Sequence, residues 1–264
     1  MKKPLPFANK DLGQHFLKDT KVITGITSDF SDKAQAIIEI GPGPGILTEN
    51  LSLHNLPFHV IEKDERMEEY IEQFVDKENI NFTDALEVNY SEFIKERGLD
   101  KNLWLVSNLP YNVSTPLLLL FLQTPEIKYM TLMFQKEVAD KVFAFSRTKN
   151  VMGSLMSLSQ TYFKTSLLFK VAPGAFIPPP KVDSAIISFE RIEEPVISLN
   201  EFKSYEKFLR LVFSQKRKQM KKVLKSVYAE DKVIKTLEAL NLPLTIRAEA
   251  LELSDIQNLY KELN

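Results

Sequence analysis

Short apolar runs alternate with amphipathic stretches along the first two-thirds of the chain. The apolar runs predict buried strands at residues 36–40, 58–62, 80–83, 103–106 and 130–134. The stretches between them predict helices at residues 46–53, 65–74 and 116–122. Because strands that alternate with helices form βαβ units, the pattern predicts an α/β fold with a mainly parallel sheet. In such sheets, ligands bind at the carboxyl ends of the strands, near the point where the strand order switches direction.

The pattern changes at the proline-rich segment 173–180. A further apolar run at residues 185–189 predicts one more strand of the same sheet, and from about Leu199 onward the chain is polar and helical in spacing. We therefore expect a domain boundary near Pro195. The predicted organisation is a first domain at residues 1–195 and a small all-helical C-terminal domain at residues 196–264.

A glycine-rich turn lies between the first predicted strand and the helix that follows it. Gly41, Gly43 and Gly45 permit a tight turn and a close approach of the backbone to a ligand. Their spacing differs from the dinucleotide fingerprint, and Pro42 and Pro44 remove N–H donors that a pyrophosphate would need. A ligand without phosphates fits better, and S-adenosylmethionine is such a ligand. The alternative is a purely structural turn.

Acidic residues follow the next two predicted strands. Glu62 ends the second strand, where a carboxylate can accept hydrogen bonds from both hydroxyls of a ribose. Asp84 follows the third strand, where it could accept from the amine of a cofactor adenine. The alternatives are an ordinary acid at a helix N-terminus for Glu62 and an N-cap for Asp84.

The tetrapeptide Asn108-Leu109-Pro110-Tyr111 stands where the fourth predicted strand ends. The Asn side-chain carbonyl and a backbone carbonyl can accept from both hydrogens of an exocyclic amine, and the Tyr ring can stack on a base. Unless it is only a turn, the tetrapeptide predicts a pocket for a flat heterocycle that carries an amine.

The composition indicates an ordinary globular protein, with 44% hydrophobic and 26% charged residues. Cysteine is absent, which excludes disulfides and thiolate metal sites, and the histidines at 15, 54 and 59 lack metal-ligand spacing, so we expect no metal. Neither a secretory signal nor a membrane-spanning run is visible, so we expect a cytoplasmic protein without membrane partners.

The net charge of -1 argues against uniform affinity for nucleic acid, but the charges are unevenly distributed. The segment from Lys203 to Lys225 contains nine Lys or Arg residues and one acid, Glu206. This segment is either a solvated helix face or a surface that contacts nucleic-acid phosphates.

Several motifs together resemble the ribosomal RNA adenine dimethyltransferases that act on the small-subunit RNA. The resemblance covers nearly the whole chain. It rests on the segments 13–17 (Gly-Gln-His-Phe-Leu), 39–48, 108–116, 135–140 and 176–184, of which the last, Phe-Ile-Pro-Pro-Pro-Lys-Val-Asp-Ser, is the most specific. The resemblance implies a Rossmann-like S-adenosylmethionine-dependent methyltransferase sheet with helices on both faces, and methyl transfer to the exocyclic amine of adenosine.

The same resemblance implies a role for individual residues. The expected S-adenosylmethionine ligands are His15, Leu17, Gly41, Gly43, Glu62, Asp84 and Asn108. His15 stands where many members carry Asn, and its side chain could bind the methionine carboxylate. Asn108, Leu109, Pro110 and Tyr111 are the expected catalytic residues.

The resemblance also implies how the RNA substrate is bound, with the target adenine turned out of the base stack. Tyr111 is expected to stack on one face of the target adenine and Phe176 on the other. The RNA backbone is expected to contact Lys216, Arg217, Lys218, Lys221 and Lys222. The implied partner is small-subunit rRNA within a pre-ribosomal small subunit, and we expect a monomer.

Alternative functions share part of this pattern. A large-subunit rRNA adenine methyltransferase that confers macrolide resistance has the same glycine loop and an Asn-x-Pro-Tyr motif; Leu109, Pro116 and Asp183 favour the small-subunit type. A DNA adenine methyltransferase is a weaker alternative, because the proline block is present here. A non-catalytic ribosome assembly factor is an alternative of a different class, which the intact Asn108 and Tyr111 argue against.

Overall fold

The computed structural model describes residues 4–9, 14–143, 152–215 and 217–264 of the chain. It divides into two compact units. The first comprises Met1–Ala139 with Thr165–Arg191, and the second comprises Asp140–Lys164 with Ile192–Asn264. The second unit therefore includes a segment that the sequence placed in the first domain, because helix Ser154–Tyr162 packs against helices Phe202–Phe213 and Leu253–Leu263. The assignment of catalysis and RNA binding to separate domains stays a prediction.

The strands of the described chain form a seven-stranded sheet and a two-stranded sheet. Their bounds are β1 Phe16–Leu17, β2 Ala36–Ile40, β3 Phe58–Glu62, β4 Ile80–Phe82, β5 Leu103–Asn108, β6 Ile127–Gln135, β7 Phe163–Val171, β8 Phe176–Ile177 and β9 Ser184–Arg191. The large sheet has the order β4-β3-β2-β5-β6-β9-β7, and β1 pairs with β8. Strands β2 to β6 run parallel to one another, whereas β9 runs antiparallel to β6. The α/β prediction is confirmed.

The helices lie mainly between these strands. Their bounds are α1 Thr20–Ser28, α2 Thr48–Ser52, α3 Glu68–Ile71, α4 Tyr90–Glu96, α5 Ser114–Gln123, α6 Lys136–Phe143, α7 Ser154–Tyr162, α8 Phe202–Phe213, α9 Met220–Leu224, α10 Glu230–Ala239 and α11 Leu253–Leu263. The helix predicted at 65–74 is instead a 3₁₀ turn, Glu65–Met67, followed by the short α3. The helical character predicted from Leu199 onward is confirmed by α8 to α11.

The core of the first unit is centred on β2 and β5. Successive residues of a strand point to opposite faces of the sheet, and Ile37, Ile38, Trp104 and Leu105 are all 0% exposed. Both faces of the sheet are therefore covered at these strands, as expected for parallel strands whose connections run over both faces.

Among the described residues, no helix has the length and the apolar composition that a membrane span requires.

Strand order determines where the site lies. The chain runs from β2 outward through β3 and β4, and then returns to place β5 on the other side of β2. The carboxyl ends of β2 and β5 therefore flank the switch point, where open α/β sheets bind their ligands. The glycine turn follows β2 and the tetrapeptide begins at the end of β5, so both meet at this point.

Candidate active site

A cavity of about 150 Å³ opens at the carboxyl ends of β2 to β5. Its lining comes mainly from the segments 14–17, 39–44, 61–63, 83–85 and 108–113. The structure thus brings together the residues predicted to bind cofactor or to act in catalysis, which are His15, Leu17, Gly41, Gly43, Glu62, Asp84, Asn108, Leu109, Pro110 and Tyr111. Gly13, which begins the first of the motifs, lies outside the described residues.

The glycine turn is held in shape by backbone conformation. Gly41 and Gly43 have φ values of +65° and +54°, a region that side chains disfavour. A Cβ added at Gly41 would meet no atom within 4 Å, so this part of the turn borders open space. The Gly43 N–H donates to Glu62 Oε2 at 2.9 Å, which ties the turn to the end of β3. The turn is therefore built to let a ligand approach its backbone.

The Glu62 carboxylate is already engaged with the backbone. Besides Gly43, the N–H groups of Lys63 and Asp64 both donate to Glu62 Oε1 at 2.8 Å. A carboxylate has about four lone-pair positions, so the bonds within the described chain leave about one, on Oε2. Burial raises the pKa of this carboxyl, and the backbone N–H donors oppose that shift. Glu62 can accept from one ribose hydroxyl by this count, rather than from both as predicted.

Asp84 also has a partner at the cavity wall. Its Oδ2 lies 2.6 Å from Lys63 Nζ, and its Oδ1 accepts from the Leu86 N–H at 2.9 Å. The hydrogen bond from Lys63 lowers the pKa of the carboxyl, so Asp84 stays ionised and remains an acceptor. An adenine amine would share this carboxylate with Lys63, a lining residue that the sequence reasoning did not identify.

Glu39 is the most unusual residue that the sequence reasoning left without a role. It lies at 1% exposure in β2, lines the cavity, and accepts a hydrogen bond from Thr48 Oγ1 at 2.7 Å. Burial raises its pKa to about 8. A carboxylate inside an otherwise apolar strand is a signal that could have identified it, because acids are almost never fully buried without a partner.

This buried carboxyl predicts a pH-dependent stability that a Glu39→Gln variant should lack. Its folded-state pKa lies above the unfolded value, so its stabilising contribution is complete below about pH 4.5 and is lost as the pH rises towards 8. We expect the variant to melt on the order of 5 °C above wild type at pH 8.5 and closer to wild type at pH 5. Thermal melts across this range, with exposed Glu262→Gln as the matched control, measure the difference. Parallel pH profiles for all three proteins would contradict the assignment.

The Asn108 side chain has a defined orientation. Its Nδ2 donates to the backbone carbonyl of His15 at 3.1 Å. Because the amide plane places Oδ1 on the other side from Nδ2, this bond keeps Oδ1 available as an acceptor. Leu109 is 1% exposed directly after it, so the start of the tetrapeptide is anchored by packing.

The Tyr111 ring is held at its hydroxyl and on one face. The hydroxyl lies 3.1 Å from Ser184 Oγ, at the start of β9. The His15 ring stacks on the Tyr111 ring at a centroid distance of 5.3 Å and an interplanar angle of 29°. His15 Nδ1 in turn lies 2.8 Å from the carbonyl oxygen of Pro178. Burial raises the pKa of the Tyr111 hydroxyl, which favours its neutral form.

The stacking role predicted for Phe176 does not agree with the structure. Phe176 is 1% exposed and belongs to the apolar core together with Leu17, Val22 and Ile186. It pairs with Leu17 across the β1–β8 ladder, and it does not line the cavity. Its packing role is to hold the N-terminal segment beside the sheet.

The basic residues predicted to contact RNA phosphates differ in their exposure and in whether an acidic side chain already pairs with them. Arg217 and Lys218 are exposed in the connection between α8 and α9, and Lys222 is exposed on α9. Lys221 lies 3.1 Å from Glu230, with 29% of its side chain exposed, so an RNA phosphate would compete with that carboxylate. Lys216 lies outside the described residues. The phosphate contacts stay a prediction, best supported at Arg217, Lys218 and Lys222.

The cavity can accommodate an adenosine joined to a zwitterionic amino acid. The open space at Gly41, the acceptors at Glu62 and Asp84, and the apolar walls at Leu47 and Ile61 match the hydroxyls, amine and rings of such a molecule. Among the described residues, no cluster of three or more His, Asp or Glu side chains could hold a metal ion. The acceptors at Glu62 and Asp84 and the apolar walls are what fits S-adenosylmethionine.

Comparison with known proteins agrees with this chemistry. The model of a family described as "Ribosomal RNA adenine dimethylase" matches residues 7–264. A "Ribosomal RNA small subunit methyltransferase A" from Clostridium botulinum is 38% identical over 225 residues, covering 83% of this chain and 80% of that protein. The protein of the same name from Clostridium acetobutylicum is 34% identical over 262 residues, covering 97% and 93% of the two chains.

Solved structures share the fold at lower identity. A dimethyladenosine transferase from Plasmodium falciparum superposes with a TM-score of 0.76 at 23% identity, covering 93% of this chain and 96% of that chain. The 23S rRNA methyltransferase ErmE superposes with a TM-score of 0.71 at 23% identity, covering 94% and 99%. At this identity the likeness concerns the fold alone.

Proposed function

The chain belongs to the ribosomal RNA adenine dimethylase family, and from that premise we propose that it dimethylates adenosines of small-subunit (16S) rRNA. The methyl donor is S-adenosylmethionine, and the targets are two adjacent adenosines in a loop near the 3′ end of the RNA. The observation that carries the proposal is the Asn108 amide, whose Nδ2 is bonded to His15 so that Oδ1 can accept from a target amine beside the glycine turn.

The bound cofactor supplies an electrophilic methyl group on a sulfonium. The residues proposed to hold it are Leu17, Gly41, Gly43, Glu62, Asp84 and Asn108 together with the backbone of His15, and all of these residues line the cavity. Glu62 would accept a hydrogen bond from a ribose hydroxyl, and Asp84 would accept one from the adenine amine. The backbone of the glycine turn would lie beside the amino-acid part of the cofactor.

The protein has to make a poor nucleophile react. The adenosine amine delocalises its lone pair into the ring, and hydrogen bonds from both of its hydrogens favour a more localised pair. Asn108 Oδ1 accepts one of them. The Pro110 carbonyl already accepts from the Val113 N–H at 3.2 Å, so the Leu109 carbonyl is the preferred second acceptor. Catalysis is then mostly alignment, and the methylated amine releases its proton to water.

The second transfer places a further demand on this site. The singly methylated amine keeps one hydrogen, so only one of the two acceptors remains bonded while the pocket holds the first methyl group. Tyr111 stacking, worth about 1–3 kcal/mol per base, is unchanged between the two steps and keeps the base in place.

The decisive test is mass spectrometry of small-subunit RNA after incubation of under-methylated subunits with protein and labelled cofactor. Two added methyl groups on each of two adenosines are expected, and reverse-transcription stops locate them. Methylation of large-subunit RNA alone would favour the macrolide-resistance type of enzyme. Failure of the wild-type protein to transfer any methyl group would eliminate the enzyme and leave an assembly factor.

We propose that the protein binds a pre-ribosomal small subunit as a monomer. The basic residues predict that the affinity of this binding falls as the salt concentration rises. Neutralising the exposed Arg217, Lys218 and Lys222 together should lower the slope of log affinity against log salt by about 2–3 units, since each phosphate contact contributes about 0.7–0.9. The matched control replaces the exposed Lys95, Lys235 and Lys261, with the same change in charge. Equal slopes for the two triple variants, measured by filter binding from 50 to 200 mM salt, would refute the assignment.

A further inference from the structure

The N-terminal segment is attached to the first unit by several contacts on both sides of His15. Gln14 Nε2 donates to Asp64 Oδ2 at 2.9 Å. Phe16 pairs with Ile177 across the β1–β8 ladder, and the Lys18 N–H donates to the Ala175 carbonyl at 2.8 Å. His15 therefore lies at a position that its neighbours determine, rather than in a loose arm.

From this position His15 makes two contacts with the tetrapeptide. Its backbone carbonyl accepts from Asn108 Nδ2, and its ring stacks on Tyr111. These are the side chains that the proposed reaction uses to bind the target amine and the target base. Stacking at 5.3 Å lies within the range in which aromatic pairs are stabilising.

The hydrogen bond of the His15 ring limits what else that ring can do. The Pro178 carbonyl is an acceptor only, so Nδ1 carries the proton at the 2.8 Å contact. In the neutral ring Nε2 then has a lone pair and no hydrogen. With Nδ1 donating to Pro178, the neutral ring has no second N–H for the methionine carboxylate, which is the role that sequence resemblance suggested for this side chain.

We propose that His15 is a positioning residue for the target adenine, and this inference rests on the proposed function. Its carbonyl orients the Asn108 amide so that Oδ1 receives the amine. Its ring covers one face of Tyr111, so the target base stacks on the opposite face. Ser184, 0% exposed and 3.1 Å from the Tyr111 hydroxyl, fixes the ring at its other end.

The proposal also gives the segment 176–184 a function in place of direct stacking by Phe176. Phe176 and Ile177 hold β1, the Pro178 carbonyl orients the His15 ring, and Ser184 contacts Tyr111. The segment thus supports the catalytic tetrapeptide through His15 and through the Tyr111 hydroxyl.

Three substitutions separate the effect of the His15 ring from the effect of its hydrogen bond to the Pro178 carbonyl. His15→Phe keeps a ring on Tyr111 but cannot donate to Pro178, His15→Asn keeps a donor without the ring, and His15→Ala removes both. For His15→Ala and His15→Asn we expect a 10- to 100-fold loss of kcat/KM for RNA, on the order of the loss caused by a misplaced base. For His15→Phe we expect most of that loss to be restored. Cofactor affinity by calorimetry should stay within about twofold of wild type for all three, since the methyl donor is not held by this ring.

A second measurement does not depend on turnover. RNA with 2-aminopurine at the target position, bound with S-adenosylhomocysteine, reports base stacking by its fluorescence. Wild type and His15→Phe should give the same quenched signal, and His15→Ala and His15→Asn a different one. Signals equal across all four proteins, or a tenfold loss of cofactor affinity in His15→Asn, would overturn the proposal. An inactive wild type that still shows this pattern would refute the proposed function and leave the positioning role intact.

Discussion

An Asn108→Ala variant is expected to transfer methyl groups at least about 100-fold more slowly than the wild-type protein. The loss follows from removing the acceptor that aligns the target amine, and single preorganised hydrogen-bond groups at reacting centres are worth about 10²–10³ in rate. The fold should survive, because the half-buried side chain makes its hydrogen bond within the described chain to a backbone carbonyl. Labelled methyl incorporation into under-methylated small subunits, at saturating cofactor, measures the rate.

Two further variants sharpen this test. Asn108→Asp keeps the size and an acceptor but cannot donate to the His15 carbonyl, so we expect a similar loss. Asn258→Ala, on the exposed side of α11, is the matched control and should retain the wild-type rate. Near-wild-type transfer by Asn108→Ala would refute the mechanism. Retained binding of pre-ribosomal subunits by an inactive Asn108→Ala protein would point to an additional role in assembly.

An Arg191→Met variant is expected to lose about 3–5 kcal/mol of unfolding free energy, because several buried backbone carbonyls lose their charged donor. Arg191 is 9% exposed at the end of β9, and its guanidinium donates to backbone carbonyls at the C-terminal end of α5. Its Nη2 lies 2.6 Å from the Thr124 oxygen and its Nε lies 2.6 Å from the Ile127 oxygen. Without it, helix-end carbonyls stay buried without their donor.

The Arg191→Met substitution should disturb the candidate active site as well as the core. Helix α5 begins at Ser114, three residues after Tyr111, so fraying at its far end loosens the element that supports Tyr111. Thermal and urea unfolding should show a Tm decrease of about 10 °C. Arg191→Lys should rescue little, since a point charge cannot serve several carbonyls at once. Arg210→Met, which breaks an exposed pair with Glu206, is the matched control, and an equal change in both variants would contradict the assignment.

The sequence predicted correctly the strands whose side chains are buried on both faces of the sheet. The runs at 36–40 and 58–62 match β2 and β3, because a fully buried parallel strand is a continuous apolar segment. The edge strand β7 was missed, because its middle residues are half-exposed and mix Thr, Ser and Lys with Leu and Phe. Strand β1 consists of Phe16 and Leu17 alone, which is too short to have a periodicity.

The sequence could place the predicted site residues together because each stands at the end of a strand or just after it. Glu62 and Asn108 end β3 and β5, Gly41 and Asp84 follow β2 and β4, and parallel strands bring their carboxyl ends to one edge. Glu39 was not assigned, although its place within an apolar run was a signal of burial; only the structure shows that its carboxyl accepts from Thr48 Oγ1 and lines the cavity. Phe176 was given the wrong position, because a motif does not state which way an aromatic ring points.

The sequence by itself determined the α/β class and placed the candidate site at the carboxyl ends of the strands, since these depend on local periodicity and on which side chains stand at the strand ends. Tertiary structure alone decided the hydrogen-bond partners. His15 and Asn108 are 93 residues apart, and Tyr111 and Ser184 are 73 apart. Contacts at such separation depend on strand order and on the β1–β8 pairing. Local propensity carries no information about which remote segments pair, so the orientation of the Asn108 amide could be known only from the folded chain.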